Sequence, residues 1–386
     1  MGRKRTRNLC FVTGTRAEFG LMGRTLDAID AHPGLTLQIV ATGMHLDRSR
    51  GYTVQEVARS KWGVTATTPW VASAGTTANA AATGIAIANL ARLYEQLQSD
   101  VVLVVGDRVE AFAGAAAAQL AGRCVAHVHG GDRALGQVDD TLRHAITKLA
   151  HIHFPATRGS ASRLIRLGEQ RRHVHRVGSP GIEGIKVDAV SRAESRLAAG
   201  DSAPFALVSL HPVSDDASIE ARRARLLLEA IAAADIPKAI VVYPNNDPGS
   251  AGIVQCYERG GFVKSAGTSF VFYRNLPRPV WLGFLRDAAL LIGNSSSGII
   301  EAASFGTPVI DVGPRQQGRE RGLNVRHAGY GRDDLVRKLK SVWNRGMPLR
   351  FPRRNIYGGG RTGERIANVL ATAQLDETLL RKLIAY

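Results

Sequence analysis

The sequence predicts an α/β protein made of two doubly wound Rossmann-like domains facing a cleft. Three observations carry this. Short apolar runs alternate with longer helix-like stretches, the pattern of parallel strands joined by crossover helices. The pattern runs through once and then restarts after a polar connecting stretch at 190–204. The chain of 386 residues is also longer than one core usually serves.

The elements follow in order. "NLCFVTG" reads as a strand and "FGLMGRTLDAIDAH" as a helix. "LTLQIVATG", "VVLVVGD", "CVAHVHGG", "HIHFPAT" and "HVHRVGSP" read as the remaining strands of the first set. "ATGIAIANLARLYEQL", the alanine-rich "RVEAFAGAAAAQLAG", "TLRHAITKLA" and "GSASRLIRLGE" are the helices between them. In the second set, "PFALVSLHP", "KAIVVYPNND", "SFVFYRN", "ALLIGNSSS" and "PVIDVG" are strands. "IEARRARLLLEAIAAA", "AGIVQCYERGG", "WLGFLRDA" and "GIIEAASFG" are helices. "GERIANVLATAQ" and "DETLLRKLIAY" read as closing helices. The expected domains are 1–178 and 179–362, with the helices of 363–386 packing across them.

Composition bounds the function. The net charge is +17, which raises nucleic acid as a partner. Yet the cations are spread along the chain among acids, and no nucleic-acid-binding motif accompanies them. A positive field equally suits a small anionic substrate. Cys10, Cys124 and Cys256 are few and widely spaced, which argues against a disulfide framework or a zinc site. No apolar run reaches the ~18 residues of a membrane span, and "LCFVTG" is too short for a signal-peptide core. The expectation is a cytoplasmic protein with no membrane and no nucleic-acid partner.

Ligands of doubly wound sheets bind beyond the carboxyl ends of the strands. There the first half carries Arg16 with Glu18, His45, and Asp107 with Arg108 and Glu110. It also carries the stretch "HVHGGDRALGQVDDTLRH". The second half carries His211, the "NND" ending at Asp247, "GNSSSG" and Arg315. Ser295 and Ser296 stand where a helix opens, so they either bind phosphate or cap the helix. Asp107 follows "VVLVVG" directly and is either a catalytic carboxylate or a helix cap. His127 and His129, two apart on a strand, would share one face, but no third metal ligand is obvious. Asp139 and Asp140 either cap the next helix, with Arg143 and His144 four residues on, or do chemistry. No Gly-x-Gly-x-x-Gly follows the first strand, and no Walker or Gly-x-Ser-x-Gly motif is present, so no dinucleotide cofactor or serine nucleophile is expected.

Nine stretches then occur in order: "TGTRAEFG", "ATGMH", "GDRVEAFAGA", "HVHGGD" through "VDDTLRHAITKLAHIHF", "GSPG", "HPVS", "YPNNDPGS", "GNSSSGIIEAASFGTPVIDVG" and "YGGG". Together they resemble the UDP-N-acetylglucosamine 2-epimerase family, which has a glycosyltransferase-B-like fold. With "HGGDR" and "NSSSG", the chain looks like the hydrolysing branch. That resemblance implies conversion of UDP-GlcNAc, or a related UDP-HexNAc, to free N-acetylmannosamine and UDP. A diacetamido-trideoxy sugar substrate, or a non-hydrolysing epimerisation, is the alternative.

The resemblance also implies roles, residue by residue. Arg16 would hold the diphosphate with Ser295 and Ser296, and Arg108 joins this substrate-binding set. Glu301 would accept from the ribose, Arg315 lies near the nucleotide, and His211, a further catalytic candidate, faces phosphate or sugar. Asp107 and Asp139 match acids used for proton transfer, and Arg143 an arginine beside them. Asp132 stands where "HGGE" is usual, and His129 where some members have glutamate, so both join the catalytic candidates. No cofactor and no metal are implied. A homodimer or homotetramer is expected.

Overall fold

The computed structural model describes residues 6–48, 51–70, 76–133, 139–200, 204–244, 247–259, 267–347 and 349–386. Two compact units emerge. The first runs to Glu183 and takes the chain back from Tyr357 to Tyr386; the second is Gly184–Ile356.

The first unit holds strands β1 (Arg7–Thr13), β2 (Leu35–Ala41), β3 (Ala66–Thr67), β4 (Val101–Val105), β5 (Cys124–Val128) and β6 (Ile152–Phe154). They form one parallel sheet in the order β3-β2-β1-β4-β5-β6. The second holds β7 (Ala206–Ser209), β8 (Lys238–Val242), β9 (Ser269–Tyr273), β10 (Leu290–Gly293), β11 (Val309–Val312) and β12 (Val325–Ala328). Its parallel order, β12-β11-β10-β7-β8-β9, repeats the first. Each unit is therefore a Rossmann-like doubly wound sheet. Its switch point lies between β1 and β4 in one unit, and between β7 and β10 in the other.

Strand composition explains the layers. On β1 and β4, Leu9, Phe11, Leu103 and Val105 face one core with Met22, Leu26, Ile366 and Leu370. Cys10, Val12, Val102 and Val104 alternate to the opposite core with Leu90 and the alanines of the helix Val109–Leu120. A strand covered on both faces reads as an unbroken apolar run, which is why "VVLVV" was legible.

Several expectations are corrected. "HVHRVGSP" forms no strand; only Val174 bridges His153. The stretch from residue 190, expected as the hinge, falls inside the second unit, which begins at Gly184. Ser191 caps a helix, Arg192–Ala199, with a full capping box inside the second unit, and 201–203 lie outside the described residues. "GIIEAASFG" breaks into Ser296–Ile300 and Ala302–Phe305 at Glu301. The helix Thr362–Thr372 packs on the helix Arg16–Asp30, with Gly363 close against Arg24 and Thr25. "DETLLRKLIAY" keeps one helical turn, Glu377–Leu380. Lys382 then reaches the carbonyls of Thr147, Lys148 and Ala150 and the Glu169 carboxylate. That fixes the end of the helix Asp139–Leu149, which carries Arg143. Among the described residues, no helix is long and apolar enough to cross a membrane.

Gly293 closes β10 at φ +131°, and a methyl group there would lie 2.0 Å from the Ser209 carbonyl. Both the backbone angle and the space demand glycine. Gly293→Ala is expected to cost more than about 3 kcal/mol, from strain and overpacking together. A urea melt followed by circular dichroism checks this; an unchanged midpoint would sink it.

Candidate active site

In the first unit the carboxyl ends of β1, β2, β4 and β5 gather the polar groups. Asp107 follows β4 in a turn and does not cap the next helix; that position belongs to Arg108. The Asp107 carboxylate, 23% exposed, is gripped by the Arg143 guanidinium, which is 2% exposed. Arg143 comes from the helix Asp139–Leu149, so the pair joins residues 36 positions apart. A buried arginine bonded to a part-exposed carboxylate holds that carboxylate in a fixed aim.

The next strand end is built differently. His127 is on β5, fully buried, with Nε2 against the Gly106 carbonyl at 2.8 Å. Burial pushes its pKa down to about 3, so it is a neutral structural histidine. His129 lies just past the strand at φ +66°, so the two rings do not share a strand face. A non-glycine residue in this left-handed region is a strained position of the kind found at functional loops. Its Nδ1 is 2.9 Å from Asp132 Oδ2, and its Nε2 is 3.1 Å from Ser179 Oγ. Asp132, 4% exposed, also accepts from Ser160 Oγ at 2.7 Å. Arg143 NH1 stands 3.9 Å from Asp132 Oδ2. One connected network therefore joins Asp107, Arg143, Asp132 and His129.

Other candidates fall into place around it. Asp139 opens its helix, but its side chain lies outside the described residues, as do 134–138. Asp140 pairs with His144 at 3.4 Å, the bland helix-surface role. Arg16 is half exposed and bonded to Glu56 at 2.8 Å. Arg108 reaches Glu110 at 3.2 Å and the Met44 sulfur. His45 is buried between Thr13 and Thr53, and burial lowers its pKa to about 4.

The second unit supplies a distinct group. Ser295 caps the helix Ser296–Ile300, its side chain accepting from Ser297 N at 3.4 Å. Asn294, which the sequence reading passed over, is the hub. Its side-chain amide bonds both ways with the His211 backbone, at 2.7 and 2.8 Å. Its carbonyl accepts from Gln316 at 2.8 Å and from Arg315 at 3.3 Å. Arg315 also lies 3.6 Å from Asp247, while Asn245 and Asn246 are outside the described residues. The signal was there: an asparagine between a strand-ending glycine and a serine run is placed to tie loops together. Glu301 sits at the helix break, buried. Its carboxylate receives Arg278 at 3.1 Å and Trp281 Nε1 at 3.4 Å. With about four acceptor sites, that carboxylate keeps capacity for ligand hydroxyls.

Two same-order doubly wound units, each with its polar groups at the strand ends of the switch point, define a glycosyltransferase-B-like enzyme fold. The chain belongs to the UDP-N-acetylglucosamine 2-epimerase family, whose pattern it matches over residues 27–371. It is 34% identical over 384 residues to the UDP-N,N'-diacetylbacillosamine 2-epimerase (hydrolyzing) of Legionella pneumophila, covering 98% of this chain and 100% of that one. It is 33% identical over 371 residues to the UDP-N-acetylglucosamine 2-epimerase of Neisseria meningitidis serogroup B, covering 94% of each. Among solved structures, the UDP-GlcNAc 2-epimerase from Neisseria meningitidis bound to UDP-GlcNAc shares the fold. Its TM-score is 0.76 at 17% identity, over 94% of this chain and 99% of that one.

Proposed function

We propose that this chain is a hydrolysing UDP-HexNAc 2-epimerase, turning UDP-GlcNAc or its diacetamido-trideoxy analogue into the free 2-epimerised sugar and UDP. The observation that carries this reading is the part-exposed Asp107 carboxylate paired with buried Arg143 at the end of β4. The full-length relative named as a hydrolysing diacetylbacillosamine epimerase supports the hydrolytic mode and favours the diacetamido sugar as a second substrate. The relative named for UDP-N-acetylglucosamine supports the first.

The chemistry needs a base, an acid and charge stabilisation. Asp107 takes the C2 proton as UDP leaves C1, giving a glycal. Water then adds across the double bond: its hydroxyl goes to C1, and a proton reaches C2 from the opposite face. The acids of the other loop, Asp132 with His129 and Asp139, serve that second proton. UDP departs as an anion, so the cost is mainly charge. We assign Ser295, Ser296, His211 and Arg315 to the diphosphate and Glu301 to the ribose. Arg16 and Arg108 are the first unit's cations for the leaving group. The enzyme is expected to be a homodimer or homotetramer in the cytoplasm and to need no cofactor.

Incubation with each UDP-sugar in heavy water, followed by proton NMR, tests this. The expected products are UDP and a free 2-epimer carrying deuterium at C2. A product that keeps its nucleotide would overturn the hydrolytic mode, and unchanged substrate would overturn the substrate class.

A further inference from the structure

Ser179 has no place in the chemistry above, yet it is built into the acid–base network. It is 1% exposed and lies just past Gly178, beside the point where the chain returns. Its backbone N–H donates to the Tyr357 carbonyl at 2.7 Å, and Thr362 Oγ1 lies 3.5 Å from its carbonyl. Its hydroxyl caps the short turn Pro180–Ile182, accepting from Gly181 N at 3.3 Å. The same hydroxyl meets His129 Nε2 at 3.1 Å.

Hydrogen-bond accounting fixes the roles. An ionised Asp132 only accepts, so His129 Nδ1 carries a proton and donates to it at 2.9 Å. Nε2 of the neutral ring is then an acceptor. Ser179 O–H is its donor, with a lone pair left for Gly181 N. If the ring gains a proton, the same hydroxyl accepts from it. A serine serves both states, which no purely donating or purely accepting side chain does. Asp132 in turn is held by Ser160 at 2.7 Å and faces Arg143 at 3.9 Å. Arg143 grips Asp107.

We infer that Ser179 is a positioning residue of the reaction. Asp132 sets the Nδ1–H tautomer of His129; the Ser179 hydroxyl fixes the orientation of the ring by closing its Nε2, and through Asp132 and Arg143 the aim of Asp107. The inference rests on the acid–base role proposed for this network. Ser179 touches no reacting atom; it acts through His129, as outer-shell partners of other catalytic groups do.

The test combines kinetics with a readout that needs no turnover. Ser179→Ala is expected to lower kcat about tenfold with KM little changed. Ser179→Thr, which keeps the hydroxyl, is expected to restore most of the loss. His129→Ala and the double variant His129→Ala/Ser179→Ala should have the same kcat, since Ser179 acts through the ring. Nitrogen-15 NMR of labelled histidine should show the Nδ1–H tautomer of His129 in the parent and in Ser179→Ala, with the Nε2 resonance shifted in the variant, where its hydrogen-bond donor is gone. A kcat and an Nε2 resonance unchanged in Ser179→Ala would overturn the inference. So would additive losses in the double variant, even if Ser179→Ala alone folded poorly. A parent that turns over no UDP-sugar but shows the serine-dependent Nε2 shift would sink the proposed function and leave the positioning bond standing; a parent that turns over substrate without that shift would do the reverse.

Discussion

Asp107→Asn is expected to lower turnover of the UDP-sugar by about a thousandfold, within the range found when a placed base is lost. Substrate KM should move little, because the amide is isosteric and the cations assigned to the diphosphate are untouched. The reason lies in exposure. Asp132 is 4% exposed, and its oxygens are engaged by His129 and Ser160, whereas Asp107 is 23% exposed. Of these two carboxylates, Asp107 is the one with a free face to offer C2. The substitution also removes the countercharge of Arg143, which is 2% exposed, so a drop in Tm should accompany the loss of rate. Deuterium exchange at C2 separates the two effects, because a base defect slows exchange and UDP release together in folded protein. Turnover within about threefold of the parent would remove Asp107 from the mechanism.

Much of the fold was legible because its interior strands are covered on both faces and therefore read as apolar runs. The edges were not. β3 is two residues long, and β12 carries Arg326 and His327 on a largely exposed strand, so neither has the apolar signature. The break at Glu301 was hidden because neither proline nor glycine stands there to announce it, while the Glu301 carboxylate is bonded to Arg278 and Trp281 from another helix. At the site, residue types at strand ends could be read, but their pairings could not. Arg143 falls four residues after Asp139, whose side chain lies outside the described residues; that its guanidinium reaches Asp107 across the sheet end could not be read from the spacing. His127 and His129 looked like a pair on one face. The left-handed backbone at His129, which no local residue type announces, sends one ring into the core and the other to Asp132 and Ser179. Glu18 and Glu110 were noticed only as rim charges, yet both are buried.

Glu18 gives the largest expected effect on stability. It is 7% exposed and lies one turn into the helix that Thr15 caps. One carboxyl oxygen accepts from Gly14 N at 3.0 Å; the other has no partner among the described residues. Burial pushes its pKa up to about 8. The Gly14 hydrogen bond opposes the rise, Glu110 adds to it, and Arg108 and Thr15 oppose it further. At neutral pH Glu18 is therefore protonated. The sign follows from linkage. The native carboxyl titrates above its unfolded value, so the folded chain holds the extra proton between about 4.5 and 8. Stability from this group is complete below the unfolded pKa, falls as pH rises through that window, and is gone above 8. The full swing is on the order of 5 kcal/mol. Buried neutral His45 and His127 act in the other direction, costing stability as pH falls below about 6.5. Their contribution cancels when two variants are compared at one pH. Glu18→Gln keeps the acceptor for Gly14 N and cannot ionise. It is expected to match the parent at pH 5 and to exceed it in Tm at pH 9. Melts across pH 5–9 check this. Parallel Tm curves would mean that Glu18 has no raised pKa in the folded chain, its buried carboxyl ionising as readily there as in the unfolded one.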